Sequence, residues 1–179
     1  MRLKLIKGGP AVTESELDEA LSAALEKEPA FAAWFLARTP FRAEEATYVW
    51  GRSNHPWSRV VLTIHDAVDD ESRAAGAECE TDILAVYETS DGRRLALHIE
   101  NKLADGSFTR NQPELYQARK EQWKLRPKLG NYTHAACVLI APITFYERNR
   151  DRATLFDAYI SHEDISTHVP AFAAQAGDD

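Results

Sequence analysis

The chain has 179 residues, of which 44% are hydrophobic and 27% charged, and it contains two cysteines, Cys79 and Cys137. This length suits a single domain, residues 1–179, with a full core, and two cysteines cannot form a disulfide framework or a cysteine-rich zinc site. No apolar run reaches the ~20 residues of a membrane span, and the charged N-terminus does not resemble a signal peptide, so we expect a cytoplasmic protein with no membrane partner.

The charge is unevenly distributed along the chain. The net charge of −7 opposes non-specific adhesion to nucleic acid. Residues 107–130, however, carry six Lys or Arg against two Glu. This basic stretch fits a polyanion bound at one place, and it fits an ordinary solvated helix face equally well.

A capping box opens the first predicted helix. Thr13 is expected as the N-cap, with Glu16 reaching back to its amide. Apolar residues at helical spacing predict a helix to about residue 28 and, after Pro29, a second to about residue 38. Strands are predicted at 46–50 and 59–65, whereas the acidic, alanine-rich residues 66–79 carry no clear pattern.

The second half of the chain alternates strands and helices. The clearest strands are 81–89 and 93–102, and Asn111 is expected as the N-cap of a helix that runs to about residue 125. A buried strand at 135–140, a helix at 145–156, a strand at 158–160 and a helix at 165–174 follow. This order predicts an α/β fold with a central mixed β-sheet flanked by helices.

The turn of the predicted hairpin decides which side chains face one another. A two-residue turn would place Asp82 and Glu100 on opposite faces. A three-residue Ser-Asp-Gly loop, with Gly92 in the left-handed conformation, places Asp82 opposite Glu100 and Glu80 opposite Lys102. We prefer this second register because a type I turn suits Ser-Asp-Gly and because it gathers the charged side chains at the open end.

Two carboxylates facing each other across a hairpin indicate a metal site. Like charges directly opposed destabilise a sheet, and a hard divalent cation relieves the repulsion. Lys102 beside such an ion could orient a water or stabilise charge on a phosphodiester under attack. The alternative is structural: Glu80 pairs with Lys102, and Glu100 pairs with an arginine, at an exposed strand end.

The placement of these residues resembles the PD-(D/E)XK nuclease superfamily, the restriction-endonuclease-like phosphodiesterases. The hairpin has an Asp at the start of its first strand and Glu-Asn-Lys at the end of its second. Downstream, Gln112 and Tyr116 lie on one helix face and match the Gln-x-x-x-Tyr motif of the RecB-like branch. The matched core covers roughly residues 80–116. Thr81 departs from the family pattern, which has Pro at a position that varies.

The resemblance implies a restriction-endonuclease-like core and a nuclease dependent on Mg²⁺ or Mn²⁺, with DNA as the favoured substrate. By this resemblance Asp82 and Glu100 bind the metal and Lys102 is the catalytic lysine, while Gln112 and Tyr116 position the site or the substrate. A chain with one active site would need to form a homodimer to cut both DNA strands in a single binding event.

Many members of the superfamily also place a carboxylate on the first helix near the metal, and Glu14 is the candidate here. It lies above the buried stripe of that helix, although the helix dipole alone would also favour an acid at this position.

Several other residues allow a functional or a structural interpretation. His98 and Trp123 are expected to pack in the fold. His55 could border a substrate groove with Trp57, but we favour a turn stabilised by its own aromatic neighbour. An alternative function is a non-catalytic module of the same fold that binds nucleic acid or a protein partner. Its binding residues would be the cations of the basic helix: Arg119, Lys120 and Lys124.

Overall fold

The computed structural model describes residues 12–65 and 72–174. The helices are α1 (Glu14–Lys27), α2 (Pro29–Leu36), α3 (Gln112–Gln122), α4 (Ile143–Arg148), α5 (Arg150–Ala153) and α6 (His162–Ser166). The strands are β1 (Ala46–Arg52), β2 (Trp57–His65), β3 (Ser72–Glu80), β4 (Ile83–Thr89), β5 (Arg94–Asn101), β6 (His134–Ala141) and β7 (Ala158–Ser161). No helix in these ranges is long and apolar enough to cross a bilayer.

A five-stranded sheet forms the centre, with strand order β1-β4-β5-β6-β7. β1, β4 and β5 pair antiparallel, whereas β5, β6 and β7 pair parallel. The predicted mixed sheet flanked by helices is therefore confirmed. β2 and β3 form a separate antiparallel ribbon, and the Gln122 side chain of α3 holds it by bonding both the N–H and the C=O of Val61 (3.1 and 2.7 Å).

The two faces of the sheet have separate cores because alternate side chains of a strand point to opposite faces. Leu17, Leu21 and Leu25 of α1 pack on one face with α2. α3 covers the other face, where Tyr116 and Trp123 are buried. The predicted capping box is present, since the Glu16 N–H donates to Thr13 Oγ1 (3.3 Å) and the Thr13 N–H to Glu16 Oε2 (2.8 Å).

Some predicted elements differ from the structure. The helix expected at 145–156 is broken at Asn149, whose side chain bonds the Phe145 carbonyl (2.9 Å). The helix expected at 165–174 is replaced by α6 and a 3₁₀ turn that begins at Pro170, because proline lacks the N–H that an α-helix needs. Most of β3 lies in residues that showed no pattern. Asn111 is the N-cap of α3, but its side chain makes no capping hydrogen bond.

The predicted hairpin register is confirmed. Gly92 has φ +81°, and its N–H donates to the Thr89 carbonyl (2.9 Å), which closes a three-residue loop. Ile83 therefore pairs with Ile99, and Leu84 with His98. This register brings the start of β4 beside the end of β5.

The Gly92→Ala variant is expected to lose about 1 kcal/mol of unfolding free energy, because a side chain disfavours the left-handed backbone. An added Cβ would meet no neighbouring atom within 4 Å, so the cost is conformational. Urea denaturation measures the loss, with exposed Ser90→Ala as the control. Gly92→Asn should recover part of the stability, and equal stabilities of the Ala variant and the wild type would contradict the assignment.

Candidate metal and active site

The predicted site residues meet at one end of the central sheet. Asp82 directly precedes β4, Glu100 lies near the end of β5, and Lys102 follows β5. All three side chains are buried, with Glu100 only 1% exposed. α3 adds Gln112 and Tyr116 from the same side.

Asp82 is held in place through its backbone and its carboxylate. Its Oδ2 accepts a hydrogen bond from the Asn101 N–H (2.8 Å), and its own N–H donates to the Tyr116 hydroxyl (3.2 Å). The Tyr116 hydroxyl in turn donates to the Ile99 carbonyl (3.3 Å). Tyr116 thus joins the start of β4 to the end of β5 at the position of the acids.

Glu100 has one oxygen engaged and one free of hydrogen bonds. Its Oε1 accepts from Lys102 Nζ and from Gln112 Nε2, both at 2.6 Å. Its Oε2 is buried and has no hydrogen-bond partner in the described part of the chain. Burial and the charge of Asp82 raise the pKa of Glu100 to about 8, although Lys102 and the neighbouring Tyr116 hydroxyl oppose the shift. Buried polar atoms are rarely left unpaired, so this oxygen is a candidate metal ligand.

Lys102 keeps its charge despite being buried. Burial lowers the pKa of its ammonium, but the neighbouring carboxylates of Glu100, Glu14 and Asp82 outweigh this effect and leave the pKa above its ordinary value. The side chain therefore contributes a fixed positive charge beside the acids.

The predicted α1 acid, Glu14, reaches the site but is engaged with the backbone. Its Oε1 accepts a hydrogen bond from the Leu103 N–H (3.3 Å), directly after Lys102. This contact ties the N-terminus of α1 to the chain that follows β5.

Asp18, one turn along α1, is a site residue that the sequence interpretation missed. It is 1% exposed, and its Oδ2 finds no hydrogen-bond partner among the described residues. Burial, and then the charge of Asp82, raise the pKa of Asp18 to about 7. The available signal was its position beside Leu17, on the buried side of an amphipathic helix.

Asn101 orients the two acids that flank it. Its backbone N–H donates to Asp82, and its side-chain Nδ2 donates to Asp18 Oδ1 (2.8 Å). Its Oδ1 lies 2.9 Å from Nε2 of His162, whose pKa burial lowers to about 3. Neutral His162 must donate to this oxygen, which directs the Asn101 amide nitrogen toward Asp18.

His55 lies among three carboxylates. Its Nδ1 is 3.5 Å from Asp82 and 3.8 Å from Glu80, and its Nε2 is 3.8 Å from Asp18. The contact with Asp82 raises the pKa of His55 to about 9. Ligand atoms of His55, Glu80 and Asp82 all lie within 4.8 Å of one another, so this group could hold a metal ion.

The backbone of His55 occupies the left-handed region (φ +48°), which residues other than glycine rarely adopt. A hydrogen bond from the Thr81 N–H to the Pro56 carbonyl (3.0 Å) ties this loop to the start of the hairpin. The expectation that His55 serves only its own turn missed the acids, because they lie far from it in the sequence.

The predicted position of Glu80 opposite Lys102 is wrong, and in the described structure Lys102 pairs with Glu100 rather than with Glu80. Glu80 ends β3 and pairs with Trp57 of β2, and residues 81 and 82 connect the ribbon to β4. Glu80 therefore approaches from the ribbon and contacts His55, which also contacts Asp18 and Asp82. We call these four residues the acidic cluster.

His98 and Trp123 are packed residues, as expected. His98 is fully buried between Thr81 Oγ1 (3.1 Å) and the Tyr132 hydroxyl (2.8 Å), and burial lowers its pKa well below the ordinary value. Trp123 is also fully buried, and its Nε1 donates to Ser58 Oγ.

The cations of the basic helix do not form a free binding surface. Lys120 pairs with Asp157 (2.7 Å), and Lys124 pairs with its neighbour Glu121 on α3 (2.5 Å). Arg119 is fully buried.

Comparison of the chain with protein-family models, curated proteins and solved structures finds no match in any of the three. The site geometry and the sequence resemblance are therefore the basis for assigning a function.

Proposed function

We propose that this protein is a divalent-metal-dependent nuclease of the PD-(D/E)XK type that hydrolyses phosphodiester bonds in DNA. The observation that carries the proposal is the unequal hydrogen bonding of the two Glu100 carboxylate oxygens. One of its oxygens binds the Lys102 ammonium, while the other is buried and lacks a hydrogen-bond partner in the described structure. The charge of Asp82 acts on the same carboxyl group. A purely structural ion pair would not need the second acid or leave an oxygen unpaired.

The donor set fits a hard divalent cation. Asp82 and Glu100 are the proposed ligands, and Asp82 also belongs to the group of His55, Glu80 and Asp82 whose ligand atoms lie within 4.8 Å of one another. The free Oδ2 of Asp18 lies 3.8 Å from His55 Nε2. Oxygen-rich sites favour Mg²⁺ or Mn²⁺. When bound, such an ion supplies Lewis-acid stabilisation of a phosphate and a water of lowered pKa.

The remaining residues have roles that follow from their contacts. The Lys102 ammonium stabilises negative charge on the phosphate under attack and orients the attacking water. Gln112 holds Glu100, and Tyr116 holds Asp82. Both α3 residues thus position the acids.

The fold supports the same proposal. An antiparallel β4–β5 hairpin carries the acids, α1 and α3 cover opposite faces, and β6 lies parallel to β5. This combination of helices and strands agrees with the restriction-endonuclease-like core that the motif resemblance implies.

The test is DNA cleavage by the purified chain with Mg²⁺, with Mn²⁺ and with EDTA. We expect cleavage with either metal and none in EDTA. Asp82→Asn should lose about 100-fold or more of the rate, because it removes a charged ligand. It should also weaken Mn²⁺ binding in calorimetry.

The control is Asp164→Asn, an exposed acid of α6 whose loss should leave both measurements unchanged. Cleavage that persists in EDTA, or equal rates for the Asp82 variant and the wild type, would contradict the assignment. Metal binding without cleavage of any DNA would instead indicate the non-catalytic alternative.

A further inference from the structure

A cavity of about 320 Å³ adjoins the acidic cluster. It lies between the β2–β3 ribbon, which contributes Trp57 and Glu80, and α3, which contributes Gln112, Tyr116 and Arg119. Glu80 contacts His55 of the cluster, and Gln112 bonds Glu100. A ligand in this cavity would therefore lie beside the proposed metal site.

Arg119 lines this cavity with an unpaired buried charge. The side chain is fully buried, and none of its three guanidinium nitrogens has a hydrogen-bond partner among the described residues. Its guanidinium carbon lies 4.0 Å from the centre of the Tyr116 ring and 5.6 Å from that of Trp123. Ring faces attract a cation, but they do not satisfy its five N–H donors.

A buried charge without a counter-ion is costly, so its presence calls for a ligand. In the part of the chain that the structure describes, no carboxylate lies within 4.0 Å of Arg119. The acid Asp157 forms its ion pair with the neighbouring Lys120 instead. A planar guanidinium matches a phosphate, which can accept two of its hydrogen bonds.

Trp57 provides a second recognition element at the same cavity. Its side chain is 67% exposed, which is unusual for so large an apolar residue. Exposed aromatic rings are platforms on which nucleic-acid bases stack. An unpaired guanidinium and an exposed indole on one cavity together match the phosphate and the base of a nucleotide.

We propose that this cavity binds the nucleotide next to the scissile phosphodiester, with the phosphate on Arg119 and the base against Trp57. The assignment of that nucleotide to a DNA substrate rests on the proposed nuclease function. The cavity as a nucleotide site rests on its own residues and can be tested without metal.

The experiment titrates thymidine 5′-monophosphate, thymidine and inorganic phosphate into the full chain in EDTA by calorimetry. We expect the nucleotide to bind at least about tenfold more tightly than either fragment, because both contacts are made at once. Arg119→Met should reduce nucleotide affinity about tenfold or more and leave thymidine binding unchanged. Trp57→Ala should weaken nucleotide and thymidine but not phosphate.

Exposed Arg126→Met is the matched control and should bind the nucleotide like the wild type. Arg119→Met should be at least as stable as the wild type in urea, because it removes an unpaired buried charge. If it fails to fold, Arg119→Lys keeps the charge without the planar fork and should still bind the nucleotide more weakly.

Equal affinity of the wild type for nucleotide and thymidine, or full nucleotide affinity in a folded Arg119 variant, would overturn the proposal. Metal-dependent DNA cleavage without nucleotide binding here would refute the cavity assignment and leave the nuclease assignment intact. Arg119-dependent nucleotide binding without cleavage of DNA would refute the nuclease assignment alone.

Discussion

Replacing Lys102 with Met is expected to reduce DNA cleavage by about 10³-fold or more while leaving Mn²⁺ binding intact or tighter. The ammonium is bonded to Glu100 Oε1 and supplies no metal ligand. Its removal therefore deletes the charge that, in the proposed function, stabilises the phosphate under attack. It also removes a cation that repels the metal, so Mn²⁺ affinity should not fall.

Single-turnover cleavage of a labelled DNA and calorimetric titration of Mn²⁺ measure the two effects separately. Lys128→Met, at an exposed position outside the site, is the matched control and should change neither quantity. If Lys102 had only a structural role, the Lys102→Met variant would lose DNA cleavage, Mn²⁺ binding and folding stability together. Unchanged cleavage in a folded Lys102 variant would refute its catalytic role.

Asp18→Asn is expected to stabilise the metal-free protein by about 1–3 kcal/mol at pH 8. The folded-state pKa of Asp18 is raised to about 7, whereas an unfolded aspartate titrates near about 4. A raised carboxyl pKa stabilises the folded state most at low pH, and this contribution is lost as the pH rises from about 4 through about 7. At pH 8 the wild type holds a costly buried carboxylate, which Asn removes.

Urea denaturation in EDTA at pH 5 and at pH 8 tests this expectation. The gain from Asn should be larger at pH 8, and the same variant should bind Mn²⁺ more weakly, because the acid contributes negative charge to the cluster. Glu19→Gln, an exposed acid on the same helix, should change stability by no more than about 0.5 kcal/mol at either pH. A variant less stable than the wild type at pH 8 would show that Asp18 is structural.

Folding stability and the proposed metal binding make opposite demands on this site. Asp18, Asp82 and Glu100 are buried close enough for the charge of Asp82 to raise the pKa of both neighbours. His55 and Lys102 offset part of the repulsion. A core selected for stability alone would avoid such a cluster, so its presence supports a role in binding a cation.

Much of the hairpin and of α1 could be predicted because their structure depends on neighbouring residues. The capping box of Thr13 and Glu16 closes within one helical turn. The Ser-Asp-Gly loop places Gly92 in the left-handed conformation, which determines the register that brings Asp82 beside Glu100. The spacing of Gln112 and Tyr116 placed them on one helix face, and the structure adds their contacts with Glu100 and with the Asp82 backbone.

The sequence by itself determined the mixed α/β sheet and the hairpin register that gathers the acids, since these depend on local hydrogen bonding and on hydrophobic periodicity. The roles of the candidate residues came from the motif resemblance and stay predictions. Only the tertiary structure decided that β3 leaves the central sheet as part of a ribbon, that Asp18 and His55 join the acids, and that Arg119 is buried beside a cavity. Such contacts join distant residues, and their energies come from burial and charge in the folded chain, which no local pattern records.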